Sequence, residues 1–300
     1  MSCLLNNLKL KENNMKVSAF TFIKNGQLLG YPFVQSIKSV LPIVDEFVIN
    51  VGKSEDNTLK IINSIASSKI RVIESVWNEG MQEKGYIYGQ QKMIAQFNCT
   101  GDWLFYIEGD EVYHENDLQL ILESMEENYN NTEVEALVMD FYHFYGNEIT
   151  LLDSPGWYRS EARIVKSSVR SYAPDGLFWV ILNSSRKGRY PKAKKTQAHC
   201  YHYGWIRTEN QMNLKSKKVQ KYWSREPVSI DYSQIDPSII RLFKGSHPKI
   251  MNDFFIKNTG IFQASKNYKI TFKDRKHRIM KKIENVFKVS LSKKHYKLLK

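Results

Sequence analysis

The stretch Trp103-Leu104-Phe105-Tyr106-Ile107-Glu108-Gly109-Asp110-Glu111 constrains this chain most. Five apolar or aromatic residues run directly into an acidic cluster. A continuous apolar run of this length predicts a strand buried on both faces. Three carboxylates at its end do not serve stability, because burying unpaired charge is costly. In open α/β sheets, ligands bind just beyond the carboxyl ends of the strands. Acidic side chains there suit a hard divalent cation, which takes oxygen ligands and often holds a substrate's phosphates. The competing reading is a solvated turn ahead of a helix that starts near Glu115.

The rest of the first half alternates in type. Strands are predicted at Val17 to Ile23, Glu46 to Val51 and Ile70 to Val76. Helices are predicted after Tyr31-Pro32, with Phe33, Ile37 and Val40 on one face; after Asp56 or Asn57; from Lys84 to Phe97; and through Leu118, Ile121, Leu122 and Met125. This alternation predicts an α/β fold with a mostly parallel sheet flanked by helices. After Ala136 the pattern changes to aromatic-rich short strands at Leu137 to Tyr145, Arg163 to Val169 and Leu177 to Leu182, which predicts a smaller mixed sheet. The chain divides into an N-terminal extension (1–15), one domain (16–265, with halves 16–135 and 136–265) and a basic tail (266–300). In that tail Ile279, Ile283, Val286 and Phe287 recur at helical spacing among lysines and arginines. Two readings stand for it: an amphipathic helix on a membrane surface, or a packed helix with a solvated basic face.

No apolar run approaches the roughly 20 residues of a membrane-spanning helix, and no signal-peptide pattern opens the chain. Cys3, Cys99 and Cys200 are few and widely spaced. They fit a reducing cytoplasm rather than a disulfide framework or zinc site. The net charge of +13 is uneven: residues 266–300 carry thirteen Lys/Arg against Asp274 and Glu284, and residues 183–225 carry twelve against Glu209. Two basic patches beside an acidic remainder imply anionic partners such as phosphates, anionic glycans or lipid headgroups.

Five segments carry candidate chemistry. In Asn50-Val51-Gly52-Lys53-Ser54-Glu55-Asp56-Asn57-Thr58, Ser54 and Asp56 supply short polar groups where a helix begins. Such a loop holds a ribose, base edge or phosphate, or simply caps the helix. In the acidic cluster Asp110 leads as a metal ligand, with Glu108 and Glu111 behind it. In His199-Cys200-Tyr201-His202-Tyr203-Gly204-Trp205-Ile206-Arg207, His202 completes a metal site and Arg207 pairs with phosphate, while His199 is structural. This segment is too rich in polar groups for a simple strand. In Tyr172-Ala173-Pro174-Asp175-Gly176, Asp175 is either a turn residue or a base beside a sugar. The loop and helix start from Trp77-Asn78-Glu79-Gly80 to Gln90-Gln91-Lys92 follow the third strand and so lie at the sheet's ligand-binding edge; there Gln90 or Gln91 bonds a nucleotide, or the polar residues sit on a plain helix face.

The ordered set, Val-Ile-Asn-Val-Gly-x-Ser-x-Asp-x-Thr, the helix with Gln90-Gln91, Gly-Asp-Trp-x-x-x-x-Glu-Gly-Asp-Glu and His-Tyr-Gly-Trp-x-Arg, resembles family-two glycosyltransferases of the GT-A fold, in the bacterial branch that assembles cell-surface polysaccharide. It covers about residues 16–225. The resemblance implies a nucleotide-diphospho-sugar donor, a divalent metal (Mg²⁺ or Mn²⁺) and inversion by direct displacement. It makes 16–135 the nucleotide-binding half and 136–265 the acceptor half. It implies that Asn50 and Asp56 contact the nucleotide, Glu108 and Asp110 form the ends of the metal motif, and His202 is the late metal or diphosphate contact. Asp175 matches the catalytic base. The acceptor is then an anionic glycan or lipid-linked molecule, met in the cytoplasm at the inner face of the plasma membrane with peripheral membrane contact. Departures from the pattern are Asn at position 50, Glu at position 108 and the missing Glu-Asp base motif. Two rivals stand beside it. A nucleotidyltransferase needs a Gly-rich basic loop after the first strand, where this chain has Lys24-Asn25-Gly26-Gln27. A nucleic-acid-binding protein would use the basic patches and aromatics, but leaves the carboxylate cluster without purpose, so nucleic acid is not an expected partner.

Overall fold

Residues 14–255 and 260–300 are described by the structure, a computed structural model. The elements run β1 (Val17–Ile23), α1 (Phe33–Val40), β2 (Glu46–Gly52), α2 (Thr58–Asn63), β3 (Ile70–Ser75), α3 (Tyr86–Phe97), β4 (Trp103–Tyr106), β5 (Glu111–Tyr113), α4 (Leu118–Glu127) and β6 (Ala136–Tyr145). There follow β7 (Asn147–Leu152), β8 (Ser160–Lys166), β9 (Ser171–Tyr172), β10 (Val180–Leu182), β11 (Gly188–Arg189), β12 (Lys192–Trp205), α5 (Glu209–Val219), β13 (Ile240–Leu242), α6 (Phe272–Phe287) and β14 (Lys297–Leu298). Residues 1–13 of the predicted N-terminal extension lie outside the described residues; Met15 is buried.

The central apolar run behaves as its composition requires. β4 is buried along its whole length and pairs in parallel with β1, Phe20 opposite Tyr106. β1 pairs in parallel with β2, and β2 with β3. These four strands form the parallel half, in the order β3-β2-β1-β4. β8 then joins β4 antiparallel, Leu104 opposite Val165, and β6 joins β8 antiparallel. The second half is thus the mixed sheet that its aromatic, irregular pattern predicted. A separate small antiparallel sheet is built from β9, β10 and β11. Helices cover both faces, as a parallel sheet requires. α1 buries Phe33, Ile37 and Val40, and α4 buries Leu118, Ile121, Leu122 and Met125. α3 buries Met93 on the opposite face, in a cluster with Phe20, Tyr106 and Trp179.

One segment differs from the sequence reading, and another meets one of the two alternatives left open for it. The His199–Arg207 stretch is mostly strand: it is the second half of the 14-residue β12, parallel to β6 and antiparallel to β5. Strand alternation explains its mixed composition. Tyr201 and Tyr203 pack with Phe144 and Met251 on one face, while Cys200 enters the main core on the other. The 266–300 segment is also bound to the domain. α6 docks on it, His295 and Tyr296 are buried, and β14 adds to β12 with Ala193 opposite Leu298.

Candidate functional site

The ends of β1, β3 and β4 do not close on one another. A cavity of about 540 Å³ opens there, lined by residues just beyond β1 (Lys24, Asn25), β3 (Trp77, Glu79) and β4 (Glu108, Gly109, Asp110), and roofed by α5 and the turn after it. One wall is aromatic. Phe22 stacks on Tyr88 and Tyr106 at centroid distances of 5.8 and 6.2 Å, and Trp77 meets Tyr222 edge-on at 5.7 Å. The other wall is basic, with Lys215, Lys217, Lys218 and Lys221 from α5 and its extension. Lys218 pairs with Glu55 at 2.8 Å, Lys221 with Glu79 at 2.8 Å, and Lys24 also with Glu79. Burial raises the Glu79 carboxyl, but hydrogen bonds from Lys221, Lys24 and Tyr222 outweigh it and bring it down to about 2.

Asp110 forms the floor. It is the third residue of the tight Glu108–Glu111 turn, and its backbone carbonyl accepts the Tyr203 N–H from β12. Its carboxylate is buried and asymmetric. Oδ2 accepts from Arg207 Nη2 at 3.0 Å and lies 3.5 Å from Lys215 Nζ; Oδ1 lies 3.7 Å from His202 Nε2. Burial alone would neutralise the acid, yet Lys215 and Arg207 hold it well below the usual carboxylate range.

The histidine beside it is oriented by a second one. His143 Nε2 is 2.6 Å from the Tyr158 carbonyl, which can only accept, so Nε2 carries the hydrogen. Burial, then His202, bring His143 down to about 3 and keep it neutral. Its Nδ1 is therefore an acceptor, and His202 Nδ1 donates to it at 2.9 Å. Burial also lowers His202 against the pull of Asp110. His202 Nε2 then presents a lone pair to Asp110 Oδ1, a tautomer assigned from this network. Two lone-pair atoms facing each other in a buried site repel unless a cation sits between them.

Gly204 keeps that space open. A Cβ there would stand 2.5 Å from His202 Nε2 and 3.2 Å from Asp110 Oδ2. Asp110 Oδ1 and His202 Nε2, 3.7 Å apart, are a carboxylate oxygen and an imidazole nitrogen, donor types that divalent ions take. Among the described residues no group of three or more His, Cys, Asp or Glu forms a metal site.

The structure sorts the other predicted residues. Glu108 lines the cavity with 29 % of its side chain open, its back held by Arg163 at 3.3 Å. Burial and then the Glu111 charge push it up to about 8. Glu111 faces away into the core, where Arg163 donates to both its oxygens. Arg207 is committed to Asp110, the Gly30 and Gly204 carbonyls and the Tyr31 ring, so it is not free for a phosphate. Asn50 is fully buried on β2 and donates to the carbonyl and side chain of Gln91, which also accepts from Ser75. Neither Asn50 nor Gln91 reaches the cavity, and Gln90 is not among its lining residues. Ser54 accepts the Asn25 N–H, and Asp56 accepts from the Leu28 N–H and from both the N–H and the hydroxyl of Thr58. Both serve loop shape; their neighbour Glu55 is the one at the cavity. Asp175 accepts the Leu177 N–H at 2.8 Å as a turn residue, while Gly176 and Leu177 line the cavity. His199 is structural, stacked on Tyr142 at 4.5 Å.

Some site residues were placed by the sequence but given no role of their own: Trp77 and Glu79, in the loop at the ligand-binding edge, and Lys215, Lys217 and Lys218, which follow Arg207. Lys24 and Lys221 were not singled out as site residues. Lys92 is fully buried, with its ammonium about 3.9 Å from the Tyr106 ring and 3.8 Å from that of Trp179, and burial lowers it to about 7. His143 sits in an aromatic strand with no local mark of its role; only its position opposite His202 in the β6–β12 register reveals it.

Comparison with known proteins agrees with this geometry. Residues 32–169, from the start of α1 past β8, match the model of glycosyl transferase family 2. A protein of Rickettsia felis described as an uncharacterized glycosyltransferase is 32 % identical over 96 residues, 32 % of this chain and 29 % of that protein. Among solved structures, S. aureus TarS superposes with a TM-score of 0.39 at 15 % identity, covering 68 % of this chain and 39 % of that one. TarS 1–349 in complex with UDP-GlcNAc gives 0.33 at 17 % identity, covering 47 % and 41 %. The chain thus spans less than a third of the curated relative and about two fifths of the TarS chains. The stretch that supplies Asp110 and Glu108, residues 32–169 of this chain, is thus the part that matches glycosyl transferase family 2.

Proposed function

We propose that this chain moves a sugar from a nucleotide-diphospho-sugar donor to a hydroxyl of a glycan or lipid-linked acceptor, with inversion at the anomeric carbon. The observation that carries the reading is the Asp110–His202 pair at the floor of an aromatic and lysine-rich cavity, inside a family-two domain. The aromatic wall of Phe22, Trp77 and Tyr222 offers a stacking surface for the nucleoside. Lys215, Lys217, Lys218 and Lys221 draw the diphosphate by charge, and positioning of this kind removes much of the entropic barrier. Asp110 and His202 would hold a divalent ion, which supplies positive charge to the departing diphosphate. As the acceptor oxygen bonds to the anomeric carbon, the bond to the phosphate oxygen breaks and the nucleoside diphosphate leaves. The hydroxyl proton passes to a cavity carboxylate; Glu108, open to the cavity, is better seated for this than Asp175, which is engaged in its turn.

The test is incubation with a panel of nucleotide-sugars, with and without Mn²⁺, read by nucleoside-diphosphate release and thermal shift. Nucleoside diphosphate is expected, with metal-dependent stabilisation. Pyrophosphate released from a nucleoside triphosphate would replace this reading with nucleotidyl transfer.

A further inference from the structure

α6 is amphipathic in the reverse sense to a core helix. The face it lays on the domain is charged. Arg278 donates twice to Asp236 at 2.8 and 2.7 Å, Lys281 pairs with Asp153 at 3.0 Å, and the buried Glu284 accepts from Arg159 at 2.7 Å. The opposite face is apolar and open: Phe272 is 86 % exposed, Ile279 59 %, Ile283 40 %, Val286 72 % and Phe287 69 %. Spacings of three and four residues put these side chains on one stripe. Arg275, Lys276, Lys282 and Lys288 are exposed on the same helix and its cap.

A contiguous apolar patch with a polar rim marks a surface that meets something. Hydrophobic side chains this large lose free energy in proportion to the area left in water. A long apolar stripe with flanking lysines and arginines is the pattern of a helix lying in the headgroup plane of a bilayer. We propose that the outer face of α6 seats the protein on an anionic lipid surface. Charge selects this occupant: residues 266–300 hold thirteen Lys/Arg against two acids, one of which, Glu284, is buried in its pair with Arg159. A second copy of the chain would set two such basic surfaces against each other. A single convex helix also offers no groove for a protein partner, whereas a fluid surface needs none.

The face is braced on the cavity. Asp153 and Arg159, which anchor α6, bracket the loop whose Trp157 packs edge-on against the cavity residue Trp205 at 5.7 Å and whose Tyr158 carbonyl holds His143. The surface deepens the proposed function at one point: it rests on that reading in bringing a lipid-linked acceptor to the cavity.

The test is flotation of the full chain with vesicles of phosphatidylglycerol and phosphatidylcholine, and with phosphatidylcholine alone. Binding is expected to the anionic vesicles, roughly tenfold or more above neutral ones, and to weaken as salt rises. Ile283→Ser with Phe287→Ser should lower it roughly tenfold at an unchanged melting temperature, since both side chains are exposed. Lys276→Glu with Lys282→Glu should erase the preference for anionic lipid and leave the fold intact. Absent binding, or variants that bind as well as the parent, would overturn the proposal. So would a concentration-dependent dimer in sedimentation that the serine variant abolishes, which assigns the face to a second copy. Nucleoside-diphosphate release in lipid-free buffer tests the donor chemistry separately, so failure of one does not pass for failure of the other.

Discussion

In the proposed metal site His202 would act through its Nε2, whose state is set two residues away in space rather than by His202 itself. The Tyr158 carbonyl fixes the hydrogen on His143, and His143 fixes the hydrogen on His202. Partners of this kind raise ligand basicity and lock orientation, and losing one costs about 10–100-fold in metal affinity. His143→Phe, close in size, should lower Mn²⁺ affinity in the presence of a nucleoside diphosphate by that factor, measured by electron paramagnetic resonance titration. The Tyr158 carbonyl would lose its partner, at about 1–3 kcal/mol of stability. Unchanged Mn²⁺ binding in this variant would remove the relay from the site. Gly204→Ala makes the complementary test. Its methyl group would crowd His202 Nε2 and Asp110, so Mn²⁺-dependent thermal stabilisation should vanish while the strand backbone, at an ordinary φ, tolerates alanine. Asp110 and His202 stood out in the sequence because a carboxylate after an apolar run and a histidine beside Gly204 are local patterns. His143 and Arg163 did not, because nothing near them in the chain indicates that one will orient a histidine and the other will neutralise Glu111 in the core.

At the scale of elements, the periodic helices and the central strand were readable because burial on one face or two leaves its mark every 3.6 or 2 residues. β12 was harder. Its two faces meet different surroundings, an aromatic cluster and a polar cavity floor, so its composition looks too polar for a strand until both neighbours are in place. α3 shows what one glycine does for an element. At Gly89 a Cβ would run into the Ala173 carbonyl and come within 3.0 Å of the Pro174 carbonyl carbon, so the helix touches the Pro-Asp-Gly turn directly. Gly89→Ala should destabilise the fold by about 1–3 kcal/mol through overpacking, measured by urea denaturation. It should also raise KM for the donor, because Gly176 and Leu177 of that turn line the cavity. Unchanged stability would mean that the turn gives way freely. The asymmetry of α6 was legible as an amphipathic helix. Which face would be docked was not, since ion pairs with Asp236, Asp153 and Arg159 come from other parts of the chain.

For the whole molecule, titration pulls in two directions. His143 is held at about 3 against an ordinary value of 6.5, so between those values the unfolded chain binds the extra proton and stability falls as pH falls. Glu79, brought from 4.5 to about 2, and Asp236, brought from 3.8 to about 2, contribute stability that is present above their ordinary values and lost on acidification toward pH 2. Glu108, pushed from 4.5 up to about 8, works the other way and adds stability as pH falls toward 4.5, so the melting temperature should fall most steeply below about pH 4.5, and His143→Phe should lose less stability than the parent between pH 7 and 5. Calorimetry across that range checks both; a variant profile parallel to the parent's between pH 7 and 5 would show that His143 titrates like a free histidine. By itself the sequence determined the alternating α/β order, the buried fourth strand and the carboxylates at its end, because hydrophobic periodicity and residue chemistry are local properties. Only the tertiary structure decided which carboxylate faces the cavity, which histidine holds which hydrogen, and which side of the last helix meets solvent. Those outcomes depend on groups that are distant in the chain and become neighbours through sheet register and packing.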